Sequence, residues 1–508
     1  MIKHIGSFVA QPVFTVAAIR QIEKRLFAAE RDSFAVMQRA AQMLFKHIAI
    51  NWPDSQHFVI VVGGGNNGGD GLLLACLLKQ AELNVLVLDC AKSERRGDAL
   101  KAFDLALADG VDIEPFDALR ECVGSVVVDG VLGIGARLPL DDALCSVVDW
   151  INRAKRAGAS VMAIDLPTGV DADTGYAQAY VAADITLSMV QPKIGHVLGL
   201  GSIASGRLVN EALGSNALLS EMSEGDRSSL AVASFSEQID WFDVAQLAKH
   251  KPCPRFADSH KGRYGHVAVF GGDHGYGGAA IMASEAAAKS GAGTVALMTR
   301  GEHVAASLVR NPNVMAFDLA HERAMSLGIR KDTVVVLGPG LGREEWGEAL
   351  FQRVMALSLP LVLDADGLFW LAQLSDVSLP EGSVITPHLG EAARLLGWRI
   401  DAINRSPIEA SVALAKQYAC VVVLKGLASV IANPQGQVYI AGKSEPVLSK
   451  GGSGDVLSGM LGATLAYYKT PLEAALMAVS WHNYAAGEMA GKRGVHRAQP
   501  YDVLEYLD

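Results

Sequence analysis

Twice along this chain, short runs of β-branched and other apolar residues alternate with helix-like stretches. In the first passage Phe58–Val62, Val85–Cys90, Ser125–Asp129, Val161–Asp165 and Asp184–Met189 read as strands, with helical segments such as Gly71–Gln80 and Ala143–Ala157 between them. In the second, strands are expected at His266–Gly272, Thr294–Thr299, Thr333–Gly338, Leu361–Asp366, Ser383–Thr386 and Val421–Lys425. Helices are expected there at Ala279–Ser290, Ile408–Ala419, Val456–Tyr468 and Leu472–Gly491, and NPQGQ turns a hairpin within Val430–Ala441. Strands that are apolar along their whole length are buried on both faces, so each passage implies a parallel sheet covered by helices, an α/β fold. From Leu213 to about Ser236 the pattern breaks: the segment is rich in Ser, Gly and charge and has no apolar period. It predicts a linker over residues 223–238, between domains at 1–222 and 239–508. The halves share no motif, so they read as two different domains fused.

Composition narrows the function. Lys+Arg is 44 and Asp+Glu is 54, a net charge of 44 − 54 = −10, which argues against a nucleic-acid binder that must replace phosphate counterions. With 50% hydrophobic and 19% charged residues, the chain is not disordered. The six cysteines (Cys76, Cys90, Cys122, Cys145, Cys253, Cys420) form no CxxC pair and read as reduced, mostly buried thiols. No apolar run approaches the ~20 residues of a membrane span, and the N-terminus lacks a signal-peptide pattern. A cytoplasmic protein with no membrane partner is expected.

The first chemical signal is GGGNNGGDG at Gly63–Gly71, directly after a strand and opening a helix. A tight turn needs one or two glycines, whereas this loop has six, with two Asn and an Asp among them. Ligands of parallel sheets bind at the carboxyl ends of strands, and a helix N-terminus favours an anion. Two further strands end in Asp129, followed by GVLGIGARLP, and in Asp165, followed by LPTGVDADTG. A strand-end Asp can simply cap the next helix, but three such ends deliver polar groups to one edge. These motifs resemble the NAD(P)H-hydrate epimerase family over roughly residues 14–214. The resemblance implies a Rossmann-like three-layer domain that interconverts the R and S forms of hydrated NADH and NADPH. It implies substrate contacts at Asn66, Asn67, Gly68, Gly69 and Asp70 and at Gly133, Ile134, Gly135, Ala136, Arg137, Leu138 and Pro139. Asp165 would be the catalytic, substrate-touching acid, and K+ would be held by Asn67, Asp129 and Thr168. Thr168 stands where the family has Ser and keeps the oxygens a hard cation needs.

The second signal is KGGSGD at Lys450–Asp455, running into an apolar helix. Its amides form an anion cradle, and Asp455 is placed to exchange a proton with a substrate hydroxyl; an ordinary Gly-rich cap is the plainer reading. The pattern resembles the anion hole of ribokinase-like enzymes. With SHKG, YGGAA, LGPGLG, LDADGL, TPHLGE and KGLAS in that order, the stretch from about Asp240 onward resembles ADP-dependent NAD(P)H-hydrate dehydratase. This implies a ribokinase-like α/β domain, with the hydrate touching Ala279, Gly342, His388 and Asp455. ADP would touch Lys425, Gly426, Leu427, Ala428, Ser429 and Gly454 and bring Mg2+. Ser453 stands where Thr is common, and His260 in SHKG gains no role. A lone His such as His388 is more often structural than ligating, but its place at a strand end beside Gly390 and Glu391 favours contact.

Together the halves read as a repair enzyme that epimerises hydrated NAD(P)H and dehydrates the S form, converting ADP to AMP and phosphate. One competing reading is a ribokinase-like kinase of a vitamin precursor, in which a phosphorylated product accumulates. The other is a non-catalytic epimerase-like scaffold, against which stand the intact Asn66, Asn67, Asp70, Asp129 and Asp165. A homo-oligomer is left open.

Overall fold

The computed structural model describes residues 11–122, 126–221, 239–242, 257–441 and 445–507. The chain divides into two compact units, one over Pro12–Gln238 and the other containing Ile239–Asp508. The expected linker at 223–238 lies outside the described residues, as does Cys253; the other five cysteines are free. Among the described residues no helix is long and apolar enough to cross a membrane.

The described residues begin with a short strand, β1 (Gln11–Val13), and in the first unit helices Val16–Glu30 and Ser33–Asn51 precede the sheet. The sheet comprises β2 (His57–Val62), β3 (Asn84–Asp89), β4 (Asp112–Pro115), β5 (Val126–Gly130), β6 (Ser160–Ile164), β7 (Ile185–Met189) and β8 (Arg207–Glu211). Its order is β4-β3-β2-β5-β6-β7-β8, and every pair is parallel. Alternation along β2 sends Phe58, Ile60 and Val62 into one core with the preceding helices, and Val59 and Val61 into another with helix Asp142–Arg156. Three layers result, as expected. The strand order reverses between β2 and β5, and the crevice at such a reversal is where doubly wound sheets bind ligands.

In the second unit the strands are β9 (Ile239–Phe242), β10 (His266–Phe270), β11 (Thr294–Thr299), β12 (Val314–Asp318), β13 (Thr333–Leu337), β14 (Leu361–Leu363), β15 (Val384–Ile385), β16 (Val421–Leu424), β17 (Ser429–Ala432) and β18 (Val438–Ala441). They run in the order β9-β18-β17-β16-β15-β14-β13-β10-β11-β12. From β16 to β12 the pairing is parallel, while β16-β17-β18 is the antiparallel hairpin.

Several boundaries differ from the sequence reading. The expected strand Leu361–Asp366 stops at Leu363: Ala365 adopts φ 49° and Asp366 opens a helix, Asp366–Leu371. The helix expected from Gly71 begins five residues earlier, at Asn66. The polar segment after Leu213 contains a helix, Ser215–Glu221, anchored by buried Ser215, whose hydroxyl donates to Val190 O (2.7 Å) and accepts from Gln191 (2.8 Å). β4, β8 and β12 were unforeseen; each is a sheet edge, so its residues are only partly covered and its apolar run is diluted.

Candidate active sites at the carboxyl edges of the two sheets

In the first unit the NNGGD motif is the opening turn of helix Asn66–Gln80 rather than a free loop. Its glycines are required by close approach: a Cβ on Gly68 would lie 2.1 Å from Gly63 O. Across the crevice, a Cβ on Gly133 would lie 3.2 Å from Asp165 Oδ2 and 3.3 Å from Asn67 Oδ1, so Gly133, Asn67 and Asp165 share one pocket wall. Within the rest of the 133–139 segment Ile134, Ala136 and Leu138 are half-buried, while Gly135, Arg137 and Pro139 are exposed.

Asp165 sits just past β6 in the left-handed region (φ 62°), a costly conformation for a residue with a Cβ. Its Oδ1 accepts from Met189 N (3.1 Å) and pairs with the ammonium of Lys193, which is 1% exposed. Lys193 Nζ also donates to Met189 O (2.7 Å) and Ser188 Oγ (3.3 Å). Lys193 N donates to His196 Nδ1 (3.0 Å), which leaves Nε2–H to donate to Asp165 O (2.6 Å). Burial and the Lys193 charge push the His196 ring down to about 4, so it stays neutral. Two more carboxyls face the pair. Burial, then the charges of Asp165 and Glu23, raises Asp70 well above the usual range; burial and Asp165 raise Glu23. Lys193, His196 and Glu23 were absent from the sequence reading. The available signal was QPKIGH, a basic residue in an otherwise apolar stretch after a strand end.

Asp129 is fully buried. Its carboxylate accepts from Thr168 N (2.8 Å), Thr168 Oγ1 (2.7 Å) and Val131 N (3.2 Å), all neutral donors, and burial raises it to about 6. The side-chain amide nitrogen of Asn67 is buried without a partner. A buried carboxylate with no cationic side chain on it, next to the Thr168 hydroxyl, is the kind of oxygen-rich set that fits a hard cation.

In the second unit the loops after β14, β15 and β16 meet the head of helix Ser453–Tyr468. Gly452 enters that helix at φ 102°. A Cβ on Gly454 would stand 3.2 Å from Asp364 Oδ2 and 3.5 Å from Lys425 Nζ, which places the Gly-rich turn against that pair. Lys425 Nζ donates to Asp364 Oδ1 (2.6 Å) and Ser458 Oγ to Asp364 Oδ2 (2.7 Å). Burial works to raise Asp364, but Lys425 and these hydrogen bonds outweigh it and hold the carboxyl below its usual range. Among the described residues Asp455 has no such partner. Burial, then the charge of Asp364, raises it to about 7, with Lys425 opposing. Glu391 is likewise raised by burial to about 7.

His388 caps helix Leu389–Leu396: its Nδ1 accepts from Gly390 N (3.0 Å) and Glu391 N (3.3 Å), while its own N donates to Glu391 Oε2 (2.8 Å). Its side chain is 61% exposed, and its Nε2 lies 3.4 Å from Glu391 Oε1. Gly342 (φ 80°) donates from N to Asp366 Oδ2 (3.0 Å). Ala279 lies in the first turn of helix Gly277–Lys289, which follows β10. Of the Lys425–Ser429 stretch, Gly426 is exposed, while Ala428 and Ser429 are buried and Ser429 begins the hairpin. His260 lies elsewhere. It precedes β10 and caps the short turn Lys261–Tyr264 through Nδ1, at the opposite edge of the sheet from Asp455. Asp364, Glu391 and Ser458 were missed as site residues, although Asp364 lay inside the LDADGL motif.

A profile of the family described as YjeF-related protein N-terminus matches residues 33–195, and one described as NAD(P)H-hydrate dehydratase matches residues 267–508. The bifunctional NAD(P)H-hydrate repair enzyme Nnr of Coxiella burnetii is 35% identical over 96% of this chain and 97% of its own length. That of Escherichia coli is 33% identical over 93% of this chain and 88% of its own. A solved structure of the Bacillus subtilis ADP/ATP-dependent NAD(P)H-hydrate dehydratase, co-crystallised with ATP and Mg2+, is 27% identical and covers 52% of this chain and 95% of that one, with a TM-score of 0.47.

Proposed function

The chain belongs to the bifunctional NAD(P)H-hydrate repair enzymes, with epimerase and dehydratase activities in one polypeptide, and from that premise we propose which residues perform each step. The Asp455 site dehydrates the S form of the hydrate and the Asp165 site interconverts R and S. The hydrate carries a hydroxyl at C6 of the reduced nicotinamide ring, and hydroxide is a poor leaving group. Asp455 takes the proton of that hydroxyl, the oxygen attacks the terminal phosphorus of ADP, and AMP departs. The C6–O bond then breaks with phosphate as the leaving group while a proton is lost from C5, restoring the ring double bond. The observation that carries this reading is an unpaired carboxyl with a pKa of about 7 at the head of a Gly-rich helix. A general base works best when it titrates near the operating pH. The amides of Gly451–Gly454 and the Lys425 ammonium face the transferring phosphoryl group. Gly342, Ala279 and His388 position the hydrate, and Lys425–Ser429 with Gly454 hold ADP.

Mg2+ fits here as a companion of the nucleotide. Among the described residues no group of three His, Cys, Asp or Glu side chains is built to hold a metal, and Mg2+ is commonly carried by phosphates with only one or two carboxylates. Bound, it would neutralise phosphate charge.

In the first site, epimerisation requires C6 to become trigonal and take its oxygen back on the other face, with a proton moved at that oxygen. Asp165, paired with Lys193, is the base, and Asp70, whose carboxyl burial and two neighbouring carboxyls push well above its usual range, is the acid. K+ at Asn67, Asp129 and Thr168 would add positive charge beside the substrate. The reduced free cysteines are consistent with action in the cytoplasm. The test is recovery of reduced-nicotinamide absorbance from mixed R and S hydrate with ADP, ATP or neither. Full recovery with ADP is expected; accumulation of a phosphorylated product would instead make the second unit a kinase.

A further inference from the structure

The rim of the second site carries two guanidinium groups that the steps above do not use. Arg343 directly follows Gly342, and its Nε donates to Asp366 Oδ1 at 2.8 Å, while Asp366 Oδ2 accepts from Gly342 N at 3.0 Å. Its guanidinium carbon stands 4.7 Å from the centre of the Phe369 ring. Arg394 lies on helix Leu389–Leu396, the helix His388 caps, and its guanidinium carbon stands 5.6 Å from the same ring. Trp370, beside Phe369, donates from Nε1 to Gly342 O at 3.0 Å. The segments after β13, β14 and β15 therefore converge on one partly buried ring, and two of them bring a cation to it.

Asp366 neutralises Arg343. Among the described residues Arg394 forms no ion pair, and its side chain is exposed. Arg394 therefore leaves one guanidinium charge on this rim without a carboxylate of its own among the described residues, in a chain that is acidic as a whole. A guanidinium presents a planar fork of donors that suits phosphate oxygens. The hydrate to which Gly342 and His388 are assigned is a dinucleotide, so its phosphates must leave the site past these residues while C6 faces Asp455.

We propose that Arg343 and Arg394, gathered around Phe369, bind the phosphate groups of the hydrated dinucleotide, either its diphosphate bridge or the 2′-phosphate that distinguishes NADPH from NADH. The proposal rests on the dehydratase reading of the Asp455 site. These are positioning residues: they anchor the far half of the substrate and touch no reacting atom.

The test is steady-state dehydration by the full-length protein of S-NADH hydrate and S-NADPH hydrate at saturating ADP. The variants are Arg394→Gln, Arg394→Lys and Arg343→Gln. Arg394→Gln is expected to raise KM about tenfold, the worth of one charge-assisted hydrogen bond, with kcat within about twofold. Arg394→Lys should recover part of the loss. An equal rise for both hydrates identifies the diphosphate, and a rise confined to NADPH hydrate identifies the 2′-phosphate. Unchanged KM for both hydrates in Arg394→Gln, or a matching rise in the KM for ADP, overturns the proposal. If the wild-type protein dehydrates neither hydrate, it is the dehydratase reading that fails. Among the described residues Arg394 makes no ion pair, so its variants test binding even if Arg343→Gln, which breaks the Asp366 pair, destabilises the chain.

Discussion

At Asp455 function and stability pull against each other. The folded carboxyl titrates at about 7, above the ~3.9 of an unfolded aspartate, so the native state binds this proton more tightly than the unfolded chain does. The cost of ionising it grows as pH rises between those values, is complete above about 7, and is absent below the unfolded value. Asp455→Asn is therefore expected to abolish dehydration yet raise the melting temperature at pH 8, with the gain shrinking towards pH 5. Dehydration by the wild type should fall about tenfold per pH unit below about 7, as the base becomes protonated. A pH-independent rate between 5 and 8 would remove Asp455 from the role of base. Lys193 poses the opposite case. It and Asp165 form a buried ion pair, and removing one partner strands a charge in the interior. Lys193→Met should cost about 3–5 kcal/mol in urea unfolding and stop epimerisation. Lys193→Met with Asp165→Leu should regain most of the stability and none of the activity. A single variant as stable as wild type would show that the pair is not isolated from water.

Among the elements, helix Ser453–Tyr468 couples packing to catalysis. It carries Asp455 in its first turn, and one turn later Gly459 faces helix Gly277–Lys289, where a Cβ would lie 2.0 Å from Ala283 O. That neighbour is backbone, so the helices must part to admit a methyl group. Gly459→Ala should destabilise by about 1–3 kcal/mol and lower kcat for dehydration, because the helix carries its first turn with it. Gly491, inside helix Pro471–Arg493, has nothing within 4 Å of its would-be Cβ. There an alanine should stabilise by about 0.5–1 kcal/mol, since only unfolded-state freedom is lost. Thermal unfolding of the two variants checks both signs, and equal behaviour would show that the close approach does not govern either site.

For the whole molecule, each unit carries its own sheet and its own proposed acid–base group, so the two activities are expected to separate. Asp165→Ala should still dehydrate S hydrate but consume the R form only at its spontaneous rate of epimerisation. Asp455→Asn should interconvert the forms and dehydrate neither, and an equimolar mixture of the two variants should convert all the hydrate. Failure of the mixture, with both variants folded, would mean that the sites are coupled or that the aspartates have other roles. The central strands of both sheets were legible in the amino-acid sequence because a strand buried on both faces is a contiguous apolar run. The Gly-rich turns at their ends were legible because close backbone approach demands glycine locally, as at Gly68. The edge strands β4 and β8 were not, since half-exposed residues carry no clear period. The sequence by itself determined two α/β domains and the strand ends where chemistry gathers. Only the tertiary structure decided that Lys193 neutralises Asp165, that Lys425 and Ser458 hold Asp364, that Arg343 and Arg394 share Phe369, and that His260 sits at the far edge. The paired residues lie far apart along the chain, and spacing along a chain carries no information about which segments a sheet brings together.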